Sequence, residues 1–293
     1  MGGPIVRLLI CAGGTGGGVY PALAVLQRLA KDVEVLWVGG EGGMEADLVK
    51  RSGVPYTAIP AAGVHGVGLR TLPGNLLRLA RGVAASRRIL GQFQPDVILF
   101  TGGYVAVPMA VAARRTPILL YVPDIEPGLA LKTLARFAHT IALTTEASKT
   151  YFSAKARTLI TGYPTRQELG TLDRSQAREK LNLRTDLPVL LVSGGSKGAR
   201  SINRALFGAL PGLLPTVQVL HISGTLDWAE VETAKASLPA ELATNYHAYS
   251  YLHEEMGAAF ASADLTICRA GASTLGELPF FGLPAILVPY PYA

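Results

Sequence analysis

The sequence GGTGGG at Gly13–Gly18 decides the first half of the fold, because it joins an apolar run, Ile5–Cys11, to a helical pattern, Val19–Ala30. Glycines suit a sharp turn from a strand into a helix, since they tolerate positive φ and let another group approach the backbone closely. The helix that follows directs unpaired N–H groups and a partial positive charge at that turn. We therefore expect this loop to bind an anion, most readily a phosphate.

The same unit opens the second half of the chain. An apolar run, Pro188–Ser193, leads into Gly194, Gly195 and Gly198, and a helical pattern begins near Arg200. A single glycine-rich loop is often only a tight turn between a strand and a helix, but two such loops, each opening one half, favour two anion sites. Neither has the GxxxxGK(S/T) pattern of a P-loop, and the first lacks the well-spaced acidic residue of a dinucleotide site.

Apolar runs alternate with helical patterns along the chain, which predicts an α/β fold with parallel sheets covered by helices. Besides the two runs above, the predicted strands are Val33–Val38, Tyr56–Ile59, Val97–Phe100, Ile118–Val122, Thr140–Leu143, Thr158–Ile160, Val217–Ile222, Tyr246–Tyr249, Leu265–Cys268 and Ala285–Val288. A Gly- and Pro-bearing break at Thr161–Arg166 separates the halves. We place the domain boundary there, which gives domains 1–163 and 164–293.

Length, charge and cysteine content limit the class of protein. The 293 residues suit two domains of ordinary size, and no apolar run is long enough to span a membrane. Arg7 interrupts the only early apolar run, unlike a signal peptide, so we expect a cytoplasmic protein. Cys11 and Cys268 end predicted strands in different halves, where free buried thiols are common. No cluster of metal ligands is visible in the sequence, and we expect neither a metal nor another cofactor.

The formal net charge of +6 indicates attraction to an anionic partner: a phosphorylated substrate, an acidic lipid or nucleic acid. Nucleic acid is the least favoured, because no basic stripe is interleaved with aromatic residues. A basic amphipathic stretch at 65–90, in which Pro73 can start a helix, favours an anionic membrane surface. An ordinary domain helix with solvated arginines has the same pattern. The residues that we assign to a membrane-docking surface are Leu69, Leu72, Leu76, Arg78 and Arg81.

Polar side chains follow two neighbouring predicted strands. Tyr104 comes after Val97–Phe100, and Asp124 and Glu126 come after Ile118–Val122. Ligands of open α/β sheets collect at such strand ends, where a carboxylate can serve as a general base. Alternatively, these acidic residues cap the following helix.

The segment CRAGASTLGE at Cys268–Glu277 predicts a nucleotide site in the second half. Ser273 and Thr274 stand at the start of a predicted helix, where hydroxyl and N–H groups can hold a phosphate. Glu277 follows one turn later, and a carboxylate can accept two hydrogen bonds from ribose hydroxyls. The alternative is a Ser/Thr helix cap with an exposed glutamate.

In their order along the chain, six motifs resemble those of the bacterial MurG glycosyltransferases of family 28, and the resemblance covers nearly the whole sequence. The motifs are GGTGGGVYPALAV (Gly13–Val25), MEADLV (Met44–Val49), PDVILFTGGYVAVP (Pro95–Pro108), GYPTR (Gly162–Arg166), GGSKGA (Gly194–Ala199) and CRAGASTLGE (Cys268–Glu277). The resemblance implies a GT-B fold: two Rossmann-like parallel-sheet domains facing a cleft, an acceptor- and membrane-associating domain, 1–163, and a UDP-sugar domain, 164–293.

The resemblance also implies an activity: inverting, metal-independent transfer of N-acetylglucosamine from UDP-GlcNAc to a polyprenyl-diphosphate-linked acceptor of the lipid I type, at the inner face of the cell membrane. Glu277 would hold the ribose, while Arg166 and Ser196 would help to neutralise the leaving diphosphate. The matching donor-site positions are Arg166, Gly194, Gly195, Ser196, Gly198, Ser273, Thr274 and Glu277. The positions assigned to the acceptor and its diphosphate are Thr15, Gly16, Gly17, Gly18 and Tyr104.

The chain departs from the family pattern at two positions. The family reads GGTGGH where this chain has Gly18, and its HEQN segment is replaced by Tyr121–Asp124. Asp124 thus stands where the family has an amide, and we assign it as the candidate general base. The resemblance further implies a segment beyond Ala293 with a glutamine that contacts the sugar, so that the second domain is incomplete at its C-terminus.

Other functions remain open at this point. One is a family member that binds a nucleotide sugar without turnover, motivated by Gly18 and by the segment expected beyond Ala293. Another is a related enzyme, either a glycolipid synthase with a different lipid acceptor or a UDP-GlcNAc 2-epimerase. The epimerase is disfavoured, because the amphipathic stretch and GGYVAVP at 102–108 fit a lipid-acceptor transferase better.

Overall fold

The computed structural model describes residues 6–13, 16–29, 32–43, 45–63, 70–165, 170, 172–195, 198–252 and 255–290. The chain divides into two compact units, Met1–Arg166 and Gln167–Ala293. Each unit has its own parallel sheet and its own apolar core. The boundary after residue 163 and the assignment of acceptor and donor to the two domains stay predictions.

The first unit contains a seven-stranded parallel sheet. Its strands are β1 (Val6–Ala12), β2 (Val33–Gly40), β3 (Tyr56–Ile59), β4 (Val97–Gly102), β5 (Ile118–Val122), β6 (Thr140–Leu143) and β7 (Thr158–Ile160). The connecting helices are α1 (Gly16–Leu26), α2 (Glu45–Arg51), α3 (Leu72–Phe93), α4 (Ala106–Ala112), α5 (Leu129–Leu134) and a 3₁₀ helix at Glu146–Tyr151. The spatial order of the strands is β3-β2-β1-β4-β5-β6-β7.

The central strands of the first unit's sheet are buried on both faces. Leu9 and Cys11 of β1 belong to one apolar cluster, together with Met109 of α4. Leu8 and Ile10 belong to a second cluster, with residues of α1. Because successive side chains of a strand point to opposite faces, both sets must be apolar, which explains the continuous apolar runs in the sequence.

The second unit repeats the arrangement with five parallel strands. They are β8 (Val189–Ser193), β9 (Gln218–Ile222), β10 (Tyr246–Tyr249), β11 (Leu265–Arg269) and β12 (Ala285–Val288), in the spatial order β10-β9-β8-β11-β12. The helices are α6 (Arg174–Lys180), α7 (Arg200–Leu213), α8 (Trp228–Ala236), α9 (Ala240–Ala243), α10 (Met256–Ser262) and α11 (Ala272–Phe281).

All the predicted strands form, with ends that move by one or two residues. The predicted range of the first helix is wrong, because α1 covers Gly16–Leu26 whereas the sequence predicts Val19–Ala30. Glycine has no side chain and contributes nothing to apolar periodicity, so the helical pattern becomes visible only at Val19. Gly16, Gly17 and Gly18 are therefore the first turn of a helix and not part of a loop.

Two further predictions concern cysteines and membrane spans. Cys11 and Cys268 are buried and free, as predicted. In the part of the chain that the structure describes, no helix combines the length and the apolar character that crossing a membrane requires.

Candidate functional site

The sheet of the first unit has a switch point between β1 and β4. From β1 the strand order runs outward through β2 and β3, and from β4 it runs the other way through β5, β6 and β7. Ligands of open α/β sheets bind at the carboxyl ends of the strands that flank such a point. Gly13 follows β1 there and Gly103 follows β4, so the structure brings two predicted site segments to one edge.

The two segments at the first switch point pack directly against each other. Thr101 Oγ1 donates a 2.6 Å hydrogen bond to the carbonyl oxygen of Gly18. Gly103 has a φ of 87°, and a Cβ on it would collide with the carbonyl oxygen of Gly13. Glycine is thus required at Gly103 both by backbone conformation and by contact.

Gly18, at the histidine position of the family motif, is also tightly placed. A Cβ on Gly18 would lie 3.2 Å from the carbonyl oxygen of Thr101. A side chain at this position therefore requires the end of β4 to move by a few tenths of an ångström. Tyr104 follows Gly103 and is 46% exposed, so its ring is accessible to a ligand at this edge.

Asp124 lies at the same edge of the sheet but one strand further from the switch point, after β5. The residue is exposed, yet partial desolvation of its carboxyl group raises the pKa of Asp124. The capping alternative is wrong for α5, because Gly128 is its N-cap and no side chain caps it. Glu126 instead forms an ion pair with Lys132 at 3.3 Å.

Four of the residues assigned to the membrane-docking surface, Leu72, Leu76, Arg78 and Arg81, lie on α3, which has Pro73 in its first turn as predicted. Leu76 and its neighbour Leu77 are each 53% exposed, and Arg78 and Arg81 are exposed beside them. Leu72 is partly buried. The later part of the helix packs on the core through Ala85, Ile89, Leu90 and Phe93. The reading of α3 as an ordinary core-packed helix thus fits its C-terminal half, while the N-terminal half leaves leucines uncovered.

The second unit has the same kind of switch point, between β8 and β11. Gly195 and Gly198 have φ values of 85° and 82°. A Cβ on Gly198 would collide with the carbonyl oxygen of Ser223, and one on Gly194 with the backbone nitrogen of Ala199. Gly194 and Gly198 are therefore closely packed, and α7 starts at Arg200 without a side-chain cap. Its first N–H groups remain available to an anion.

The segment after β11 completes this edge. Gly271 is the N-cap of α11, and no side chain caps the helix. Ser273 and Thr274 stand in its first turn, and Glu277 lies in the next turn with only 7% of its surface exposed. The alternative of a Ser/Thr cap with an exposed glutamate is therefore wrong on both counts. Four other predicted site residues lie outside the described residues: Thr15, Leu69, Arg166 and Ser196.

Two family models match this chain. The glycosyltransferase family 28 N-terminal domain matches residues 8–143, and the glycosyltransferase family 28 C-terminal domain matches residues 189–293. The chain belongs to glycosyltransferase family 28. Its two parallel-sheet units have the GT-B-like architecture that the sequence predicts.

Similar proteins in family 28 align over almost the entire chain. The UDP-N-acetylglucosamine--N-acetylmuramyl-(pentapeptide) pyrophosphoryl-undecaprenol N-acetylglucosamine transferase of Roseiflexus sp. (strain RS-1) is 42% identical over 99% of this chain and 79% of its own length. The transferase of the same name from Desulforudis audaxviator (strain MP104C) is 39% identical over 98% of this chain and 79% of its own length.

Solved structures agree with the family. The crystal structure of Acinetobacter baumannii MurG has a TM-score of 0.72 and 30% identity, covering 98% of this chain and 80% of that one. A putative UDP-N-acetylglucosamine 2-epimerase from Listeria monocytogenes has a TM-score of 0.70 at 13% identity, covering 96% of this chain and 78% of that one, and shows only a shared fold.

Glu45 is a residue near the first family 28 glycine segment that sequence reasoning missed. It is the first residue of α2 and is fully buried, and its Oε1 accepts a 2.8 Å hydrogen bond from the backbone N–H of Gly40. A Cβ on Gly13 or Gly43 would collide with its carboxyl group. Burial, with the nearby charge of Glu45, raises the pKa of Tyr56 to about 12. An acid in the first turn of a helix is usually solvated, so no sequence signal separates Glu45 from a surface residue.

A buried polar network under the second family 28 glycine loop was also missed. His221 shares hydrogen bonds of 2.7 Å with the Tyr246 hydroxyl and 3.0 Å with Asn203 Oδ1. Asn203 Nδ2 donates to Ser223 O, the atom against Gly198, and to Asp227 Oδ2, each at 3.0 Å. Burial lowers the pKa of His221 to about 4, so its ring is neutral. A satisfied buried network of this kind holds its members in one arrangement.

Proposed function

We propose that this protein transfers N-acetylglucosamine from UDP-N-acetylglucosamine to a lipid-linked acceptor of the lipid I type, as in peptidoglycan synthesis. The observation that carries the proposal is the pair of switch points, each with a glycine segment and a helix start. Transfer from a nucleotide diphosphate sugar to a diphosphate-linked lipid needs two anion sites. The names of the relatives that align over 98–99% of the chain support the same reaction.

The donor belongs to the second unit in this proposal. The backbones of Gly194, Gly195 and Gly198 and the starts of α7 and α11 hold the diphosphate, with Ser273 and Thr274 adding hydroxyl donors. Buried Glu277 accepts hydrogen bonds from the ribose hydroxyls. Negative charge grows on the departing UDP as its bond to the anomeric carbon breaks, and fixed N–H donors stabilise that charge without reorganisation. Arg166 and Ser196 add to this stabilisation, and no metal cofactor takes part.

The acceptor belongs to the first unit. Gly16, Gly17 and Gly18 face its diphosphate at the start of α1, and Tyr104 contacts it from the β4 side. Thr15 is assigned to the same diphosphate from the sequence alone. The acceptor hydroxyl oxygen attacks the anomeric carbon as UDP leaves with the bonding electrons, so the configuration inverts. Asp124 takes the hydroxyl proton, a role that its raised pKa supports.

Docking on the inner face of the cell membrane completes the proposal. The exposed pair Leu76 and Leu77 supplies apolar side chains for the interface, and Arg78 and Arg81 supply charge for anionic head groups. A lipid-linked acceptor stays in the bilayer, so the enzyme must meet it there. Leu72 belongs to the same surface in this proposal, Leu69 is assigned to it from the sequence alone, and nucleic acid is not a partner.

A second candidate is a family member that binds the nucleotide sugar without turnover. Gly18 favours it, because the position that carries an imidazole in the family motif has no side chain here. A glycolipid synthase would share the donor site and differ in its lipid acceptor. Product analysis with lipid I and diacylglycerol side by side separates these candidates.

Calorimetric titration with UDP and UDP-N-acetylglucosamine tests the donor site. We expect binding by the wild-type chain and a loss of about tenfold or more in Glu277→Ala, since hydrogen bonds to a charged group are removed. Glu241→Ala, which removes an exposed glutamate of α9 in the same unit, is the matched control and should bind normally. Equal affinity in Glu277→Ala and wild type would overturn the ribose assignment.

A further inference from the structure

Arg269 lies at the second switch point, and none of the roles above includes it. It is the last residue of β11. Its preceding neighbour Cys268 pairs with Ser193 of β8, the residue directly before Gly194, and Arg269 itself pairs with Val288 of β12. Arg269 therefore stands beside the start of the second glycine loop, at the edge where ligands bind.

The guanidinium of Arg269 connects three segments at this edge. Its Nη1 donates a 2.7 Å hydrogen bond to the carbonyl oxygen of Pro289, just after β12, and its Nη2 donates a 3.0 Å hydrogen bond to Ser201 Oγ in the first turn of α7. It also lies 5.7 Å from the ring centroid of Tyr290. One side chain thus links the ends of β11 and β12 to the start of α7.

Within the part of the chain that the structure describes, the charge of Arg269 is not balanced by an acidic partner, unlike that of the other arginines of this unit. Those others each form an ion pair with an aspartate or a glutamate: Arg174, Arg178, Arg184, Arg200 and Arg204. Among the described residues no carboxylate forms an ion pair with Arg269, whose hydrogen-bond partners are a carbonyl and a hydroxyl. Arginine keeps its charge at every physiological pH, so a half-buried, uncompensated cation faces the ligand edge.

We propose that Arg269 supplies the positive charge that holds the donor's diphosphate and positions the start of α7 against it. The inference rests on the proposed function and adds a residue to its donor site. The carbonyl and hydroxyl partners hold the guanidinium in place but do not neutralise its charge. The positive charge can therefore attract a bound anion. Arg269 would thus discriminate a nucleoside diphosphate from an uncharged nucleoside.

Calorimetry on the full chain tests this with UDP and uridine as probes and Arg269→Met as the variant. We expect the affinity for UDP to fall about tenfold or more, because a charge-assisted interaction is lost, while that for uridine changes by less than about twofold. The salt dependence of UDP binding should also become shallower than in the wild type. Arg184→Met removes an equally positive side chain before β8, at the opposite end of that strand, and should change neither affinity.

Two more variants keep the test independent of folding. Arg269→Lys retains the charge but cannot reach both acceptors, and Ser201→Ala removes one acceptor and leaves the charge, so both should bind UDP more tightly than Arg269→Met. Unchanged UDP affinity in Arg269→Met, or equal losses for UDP and uridine, overturns the inference while the proposed function stands. A wild-type chain that binds neither probe overturns both.

Discussion

Replacing Gly103 by alanine tests the packing at the first switch point. Gly103 has a φ of 87°, which costs a side chain about 1–2 kcal/mol. Its new Cβ would also collide with the carbonyl oxygen of Gly13, and overpacking of this kind costs about 1–3 kcal/mol. We therefore expect the free energy of unfolding of the first unit to fall by about 2–5 kcal/mol, the sum of these two contributions.

Gly53→Ala is the matched control for Gly103→Ala. Gly53 has a φ of 71°, and a Cβ on it would meet nothing within 4 Å. Gly53→Ala introduces the backbone cost without a collision, so the free energy of unfolding of this variant should fall by only about 1–2 kcal/mol. Urea titrations followed by fluorescence in a Trp228→Phe background report on the first unit, because Trp37 is then the remaining tryptophan and is fully buried.

The functional readout separates the first unit from the second. In Gly103→Ala the KM for the lipid acceptor should rise, since the two segments that flank the first switch point are pushed apart. UDP binding should stay unchanged, because all of its proposed residues except Arg166 lie in the second unit. Equal destabilisation by Gly103→Ala and Gly53→Ala, with normal acceptor kinetics, would refute the packing argument.

Three other predictions concern the base, the buried histidine and the membrane. Asp124→Asn should lower the rate of transfer about 100-fold or more. The wild type should lose activity as the pH falls through the raised pKa of Asp124, and the variant should lack this acidic limb of the pH–rate profile. Full activity of the variant would contradict the assignment of Asp124 as the base. Burial lowers the pKa of His221 to about 4, so the unfolded state binds the extra proton between that pH and about 6.5. Stability of the second unit should fall as pH drops through this window, and His221→Asn should flatten the slope in pH-dependent urea titrations. Leu76→Ser with Leu77→Ser should weaken binding to anionic vesicles about tenfold, whereas Leu226→Ser, at a leucine that is 73% exposed in the second unit, should not.

The central strands could be predicted from the sequence because they are buried on both faces of their sheets. Runs such as Ile118–Val122 and Leu190–Val192 are apolar without interruption, so no charged residue within them makes the limits of the strand ambiguous. The start of α1 could not be predicted in the same way, since Gly16, Gly17 and Gly18 carry no side chain that could show a helical period.

The site was predictable where it depends on local sequence. The sequences of the two glycine segments and of the start of α11 each predict a turn from a strand into a helix. The structure places these turns at the switch points. Glu45 and Arg269 could not be recognised, because their roles depend on contacts between distant parts of the chain. Arg269 and Ser201 are 68 residues apart, and the position of Glu45 beneath Gly13 follows from the sheet order.

The most direct test of the central claim is transfer of radiolabelled N-acetylglucosamine from its UDP conjugate to lipid I in vesicles, with UDP release measured in the same samples. We expect labelled lipid and free UDP to appear in equal amounts, and neither to appear without lipid I or in Glu277→Ala. Tight donor binding with no labelled lipid would contradict transfer and would identify the chain as a nucleotide-sugar-binding member of family 28.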